Sequence, residues 1–505
     1  MDNIELFYSG TDFSPIYKNG INGKEYCFGF EIKSKSKKRF IEELNNDKEK
    51  QLNILKAFLE ALQSSANDLI LNSFSKDEDK SLYSYFNKTM YFDGFVGVAS
   101  IKDFSYEGKN YDITLQINTR IDNEHSKPFF LMSLLFDSFM PFHNAKVNSD
   151  KEALTDMLLL YSFVEKYKNA YMKGYYKNYH NIKSNDYKVK GSIDIARHIR
   201  QNVGINNGKV ACSYQEKSEF NYINHLIITA YEKLKEKYGV QIGIAFKDSV
   251  ELRDSLETLK YIINYPQFSK KTLLAKTTRP LSHPFYTEYE DLRKICLKIL
   301  REEKISLFNG NRNDKVDGVL MYAPELWEKY IAKKIKGLTF KSQCEIKVLN
   351  INSNDNYIQP TRPDFVFYDD SNPYMILDAK FKPDWIEVAK TGFIGNYLLP
   401  DYDKCIRDMV SINAIATGVI FPANNKIEYL SNSFKCDSEE FEYAHNISKY
   451  NSSHKFFTFP IYVPSVALKT NDNFISWKEL FDESCNKAFP EICCIIKEYS
   501  NKTKL

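Results

Sequence analysis

The sequence contains no CxxC pair. Its nine cysteines (27, 212, 296, 344, 405, 436, 485, 493 and 494) are odd in number and scattered. That spacing excludes a disulfide framework or a zinc site of the usual pattern, and fits free thiols in a reducing compartment. An excess of one charge sign is also missing: 69 Lys and Arg stand against 66 Asp and Glu. Bulk charge therefore argues neither for nor against a polyanionic partner, and any nucleic-acid contact has to come from local patches. The longest apolar run, near MLLLYSFV (157–164), is too short to cross a bilayer. MDNIELFYSG at the start has no basic or apolar leader character, so the expectation is a cytoplasmic protein with no signal peptide and no membrane partner. A G-x-x-x-x-G-K-[ST] phosphate loop is lacking, since GINGKE (20–25) has the wrong spacing and no Ser or Thr. If a nucleotide drives this protein, the motor is another chain.

What is present is a chain of 505 residues, 43% hydrophobic and 15% aromatic, with 36 Phe and 35 Tyr but only 3 Trp. That composition is globular and long enough for several cores. Three regions differ in texture, and the expected class is α/β in the sense of an α+β multidomain chain. Residues 1–150 mix strands with a helix over 48–70, whose apolar residues recur at three and four. Segments 91–101 and 111–121 read as strands around the turn YEGKN. Residues 151–305 read as mostly helical, over 156–179, 219–238 and 285–300, with a basic segment at 187–202. Residues 306–505 begin with a helix at 324–337, then strands at 342–351, 362–370 and 374–381, a helix at 401–416 and a strand at 417–422. The order is αβββαβ.

RPDFVFYDDSNPYMILDAKFKPDW (362–385) concentrates the charges that matter. In a hairpin built around SNP, Asp369 and Asp370 fall at the turn, while Lys382 and Asp384 lie beyond the second strand. Asp364 opens one strand and Asp378 closes the next, so antiparallel pairing brings them to the same end. Asp378 and Lys380 are two apart and share a face. Two carboxylates and an ammonium at one point suit a hard divalent ion, with the lysine placed to hold or polarise a water, as phosphodiester hydrolysis requires. The plainer alternative is an exposed hairpin carrying an ion pair. Glu328, on the preceding helix, is either a third carboxylate of that site or a solvated glutamate.

Two further patches carry weaker expectations. Lys188, Lys190, Arg197, His198 and Arg200 read as a surface for phosphates, with Gly191 permitting close backbone approach, or equally as a solvated face or a surface for a partner ATPase ring. The tyrosines of YMKGYYKNYH (171–180) suit either half-buried packing or stacking on single strands.

The carboxylate–lysine constellation resembles the PD-(D/E)xK nuclease superfamily. The chain from about 90 to 422 is similar to the McrC subunits of McrBC-type, 5-methylcytosine-dependent restriction systems. FVGVASI (95–101), YMKGYYKNYHNIKSNDYKVKGSID (171–194), CSYQEKSEFNYINHLI (212–227, with Asn224 in the anchoring slot), LWEKYI, RPDF and LDAKFK carry the resemblance in that order. It implies metal binding by Asp364 and Asp378, a supporting acid at Glu328, a catalytic Lys380, and Mg²⁺ or Mn²⁺ as cofactor. It implies a restriction-endonuclease-like core within 306–505. It also implies an N-terminal region, 1–150, that docks on a McrB-like AAA+ GTPase hexamer, double-stranded and modified DNA as substrate, and GTP used only through the partner. The chain departs from related nucleases on the helix after the lysine strand. Where Gln and Tyr are usual it reads DYDKCIRDM, with Lys404 or Cys405 near the Gln slot. That departure keeps open a second reading, a catalytically degenerate adaptor and activator of an AAA+ motor. Residues 383–399 read as an insertion, either a lid or a surface excursion.

Overall fold

The computed structural model describes residues 4–12, 15–20, 23–32, 44–64, 82–86, 89–122, 128–139, 150–205, 207–238, 250–301, 316–335, 337–342, 346–347, 360–370, 372–448, 451–464 and 474–502. The chain divides into two compact units, one of residues 1–138, 144–157 and 311–505, the other of residues 139–143 and 158–310.

The first unit begins with a five-stranded sheet in the order Val316–Tyr322, Phe95–Tyr106, Lys109–Asn118, Ile4–Thr11, Gly29–Ile32. The two predicted strands form its hairpin, and their turn places Glu107 and Gly108 at φ 48° and 72°. Both central residues at positive φ are what a two-residue hairpin with native twist requires. Helix Lys48–Ser64 starts where the Asp47 side chain accepts the Lys50 N–H at 2.9 Å. Its stripe of Leu52, Leu55, Phe58, Leu59 and Leu62 is buried in the same core as Tyr8, Ile113 and Leu115. The predicted helical residues 65–70 lie outside the described residues.

The largest sheet of this unit among the described residues has six strands: Phe340–Ser342, Phe365–Asp369, Asn372–Ala379, Ala416–Ala423, Asn451–Tyr462 and Ala444–Ser448. Its first three strands run antiparallel, and Asn372–Ala379 then pairs in parallel with Ala416–Ala423, as that strand does with Asn451–Tyr462. Helices Ala323–Lys334, Leu399–Ser411 and Phe474–Lys502 belong to this part of the chain. Of the strand expected at 342–351, positions 342 and 346–347 are described and form two short strands; the rest lies outside the described residues. The insertion 383–399 does not loop away from the surface. It contains helix Trp385–Thr391, which buries Trp385, Ile386, Val388 and Ala389 and stacks Trp385 on Phe456 at 5.7 Å.

The second unit is less helical than its pattern suggests. Besides helices Tyr222–Tyr238, Val250–Ile262, Lys270–Lys276 and Glu288–Arg301, it contains a three-stranded sheet in the order Ser192–Ile193, Val210–Ser218, Asn178–Asp186. The strand Asn178–Asp186 has no buried residue, so it carries no apolar alternation to announce it. Among the described residues no helix is long and apolar enough to cross a membrane.

Candidate active site

The hairpin Phe365–Asp369/Asn372–Ala379 brings Asp364 and Asp378 together. The Asp364 N–H donates to Asp378 Oδ1 at 3.2 Å, and the Ala379 N–H donates to Asp364 Oδ2 at 2.7 Å. Each acid is thus fixed by the main chain of the opposite strand, and both side chains are pinned at one end of the ribbon. Asp369 is half-buried at the turn end of its strand, and Asp370 is exposed at φ 52°, as the turn reading requires.

Lys380 continues the strand one step past its last sheet residue. Its N–H donates to the Ile420 carbonyl at 2.9 Å, and its ammonium lies 3.0 Å from Asp378 Oδ2 and 3.5 Å from Asp401 Oδ1. The same Ile420 carbonyl accepts the Trp327 indole N–H at 3.2 Å. One backbone oxygen therefore fixes both Lys380 and the helix turn that carries Glu328. Glu328 is half-buried, and its charge is among those acting on Asp364.

The helix Leu399–Ser411 supplies what the sequence reading undervalued. Asp401, Lys404, Cys405 and Asp408 recur at three and four, so they share one face, and the last two are fully buried. Lys404 Nζ lies 2.7 Å from Asp378 Oδ2 and Cys405 Sγ 3.9 Å from it. Lys382, expected beyond the site, bonds Asp401 Oδ2 at 2.6 Å and so joins the same charge network. Polar residues on the inward face of an amphipathic helix are the signal that marks these positions.

Electrostatics separates the two acids. Burial pushes Asp378 up, but Lys380 and Lys404 outweigh it and hold the carboxyl at about 2. Asp364 goes the other way, driven well above the usual carboxylate range by burial first, then by Asp378 and Glu328. Burial pulls Lys380 down, yet Asp378 and Asp401 raise it above an ordinary lysine, so it stays an ammonium. Asp364 therefore sits in negative potential that Lys404 and Lys380 offset only in part.

Among the described residues no three His, Cys, Asp or Glu side chains come close enough together to hold a metal by themselves. The paired acids Asp364 and Asp378 nevertheless fit a hard divalent ion. Mg²⁺ commonly takes one or two carboxylates and completes its shell with water and substrate phosphate. The negative potential at Asp364 is what such an ion relieves.

The other two patches are mostly structural. Arg197 turns inward to the carbonyls of Ser184 and Cys212 at 2.8 and 2.5 Å, and His198 Nδ1 pairs with the Asn202 amide at 2.9 Å. Gly191, at φ 68°, sits where a Cβ would be 2.6 Å from the Ser213 carbonyl, so it serves the sheet rather than an incoming phosphate. Lys188 and Lys190 remain exposed. Tyr175 donates to the Ser255 carbonyl at 2.8 Å, and Tyr176 is buried against Tyr286 and Tyr289, leaving Tyr179 as the exposed ring of that run.

A family model described as McrBC 5-methylcytosine restriction system component matches residues 91–392. No curated protein matches the chain. Among solved structures, a half-complex from the tetradecameric assembly of Thermococcus gammatolerans McrB AAA+ hexamers with bound McrC is similar at 13% identity. That alignment covers 85% of this chain and 92% of that one, with a TM-score of 0.37. The cryo-EM structure of the Thermococcus gammatolerans McrBC complex is similar at 12% identity over 57% of this chain and 82% of that one, with a TM-score of 0.25.

Proposed function

The chain belongs to the McrBC 5-methylcytosine restriction system component family, and we propose that it is the DNA-cutting subunit of such a system, a metal-dependent endonuclease with a PD-(D/E)xK core within residues 306–505. The observation that carries this reading is the convergence of Asp364, Asp378 and Lys380 at one end of the hairpin. A bound Mg²⁺ or Mn²⁺ supplies neutralisation of phosphate charge and acidification of a bound water. Asp364 and Asp378 would hold it, with Glu328 supporting Asp364. Lys380, kept protonated by Asp378 and Asp401, acts as a fixed positive charge that orients the attacking water and faces the phosphate; it does not take up a proton.

The chain is one component of the system. Its sequence has no phosphate loop of its own, which supports a McrB-like AAA+ GTPase as partner, with GTP turned over on that chain and residues 1–150 as its docking region. Modified double-stranded DNA is the substrate class, and the cytoplasm the expected location. The test is cleavage of methylated DNA with partner, GTP and Mg²⁺. Asp364→Ala or Lys380→Ala is expected to abolish cutting while the complex still forms. Cutting that survives either change removes the site assignment.

A further inference from the structure

Asp378 Oδ2 is the most crowded atom of the site. Lys404 Nζ approaches it to 2.7 Å and Lys380 Nζ to 3.0 Å. The two ammoniums differ in origin. Lys380 sits on the strand beside its acid, fixed through its own main chain and through Asp401. Lys404 reaches in from the helix Leu399–Ser411 and has a second carboxylate within reach: Asp408 Oδ2, one helical turn on, lies 3.7 Å from the same Nζ. Asp408 is fully buried, with the Arg407 guanidinium 3.7 Å from its other oxygen. A buried carboxylate one turn away along a helix is an alternative position for a lysine head that needs only a rotamer change. The Lys404 stem is anchored on the helix, so its head can move between the two acids without moving the sheet.

Resting on the reading of Asp364 and Asp378 as the metal-binding acids, we propose that Lys404 is a built-in cation that holds the place of the divalent ion at Asp378, and that the ion binds when the Lys404 ammonium transfers to Asp408. Asp378 Oδ2 already carries two ammoniums, and a divalent ion arriving there meets the charge of both; of the two, Lys404 is the one with a second carboxylate to move to. Lys404 therefore competes with the metal, and offsets the charge of Asp378 and part of that at Asp364 while no substrate is bound. It is a positioning residue: it acts on the ion through Asp378.

The experiment is Mn²⁺ binding to the full chain without DNA or partner, read from the loss of the free Mn²⁺ electron paramagnetic resonance signal. Lys404→Gln is expected to bind Mn²⁺ about tenfold or more tightly than the parent, the scale of effect of removing one neighbouring charge. Lys404→Arg keeps the charge and is expected to stay near the parent. Asp408→Asn removes the alternative position and is expected to weaken binding. If Lys404→Gln melts below the parent, Lys404→Met, which keeps the stem, takes its place. Equal or weaker Mn²⁺ binding by the uncharged variants overturns the proposal, as does no binding by either; an unchanged Asp408→Asn affinity overturns the transfer to Asp408. Asp378→Asn separates this from the site reading: binding that survives it sinks the metal site itself, whereas binding lost there but unchanged in Lys404→Gln sinks only the role of Lys404.

Discussion

A lysine beside a phosphodiester serves either as a proton carrier or as a fixed charge, and the surroundings of Lys380 decide for the second. Its ammonium has a carboxylate at 3.0 Å and another at 3.5 Å, and these more than offset the burial that pulls its pKa down. Lys380→Met is accordingly expected to lower single-turnover cleavage by roughly 100-fold or more, the scale of losing one preorganised charge at a developing oxyanion. The thermal midpoint should hold, because Asp378 keeps Lys404 as its partner. A cleavage loss matched by a collapse of the melt would show Lys380 to be structural. At this scale the sequence was informative where chemistry is local. Asp364, Asp378 and Lys380 are placed by strand alternation and one tight turn, both readable in the chain. Lys404 and Asp401 enter through a helix packed across the strands, with Lys382 joining through Asp401, and that helix's rotation against the sheet is set by tertiary packing, which no spacing rule reports.

Elements hold the site by sharing acceptors and by close backbone approach. Trp327 is fully buried, stacks on Tyr330 at 5.5 Å and donates to the Ile420 carbonyl, the same oxygen that receives the Lys380 N–H. Trp327→Phe keeps most of the packing and loses the hydrogen bond, which predicts a loss of about 1 kcal/mol. Trp327→Ala empties the site and predicts roughly 3–5 kcal/mol. Denaturant melts of both variants check this, and equal small losses would mean the helix is not anchored there. Gly418 is a second pin. A Cβ at this position would lie 2.4 Å from the Phe457 carbonyl oxygen, so Gly418→Ala has to push apart two parallel strands of the site's own sheet. It is expected to cost on the order of 1–3 kcal/mol, the usual range for overpacking. The central strands of this part were legible as short apolar runs, Ala416–Ala423 being buried along its whole length and Asn372–Ala379 over its last six residues. The sheet of the second unit was not: Asn178–Asp186 is mostly polar, with Ile182 its one aliphatic residue, and what makes it a strand is its pairing with Val210–Ser218, some 25–40 residues later in the chain.

Across the whole first unit, the N-terminal sheet and the candidate site are joined by residues far apart in sequence. Strand Val316–Tyr322 completes the sheet that begins at Ile4, a pairing that residue pattern alone does not specify. Phe130 stacks on Phe381, next to Lys380, at 6.1 Å and packs against Trp327, next to Glu328, at 6.0 Å. Phe130 is held in turn by Asp122, whose Oδ1 accepts its N–H at 2.7 Å while Oδ2 accepts from Leu131 at 3.2 Å and from the Thr119 hydroxyl at 2.6 Å. Burial lifts the Asp122 carboxyl to about 7 against those hydrogen bonds, and lifts Asp12 to about 6 against Arg120. Both acids thus bind a proton in the folded chain at pH values where the unfolded chain, with an ordinary aspartate value near 3.8, has released it. Because the native state then carries more protons, stability falls as pH rises through that window, by roughly 1.4 kcal/mol per pH unit for each acid. The stabilising share is fully present below the unfolded value and lost above the folded one. Asp122→Asn cannot ionise, so its thermal midpoint should fall less steeply than the parent's between acid and neutral pH, even though it starts lower for want of one acceptor. Parallel melting curves for the two proteins would show that Asp122 is ionised when folded, and that its three hydrogen bonds outweigh its burial.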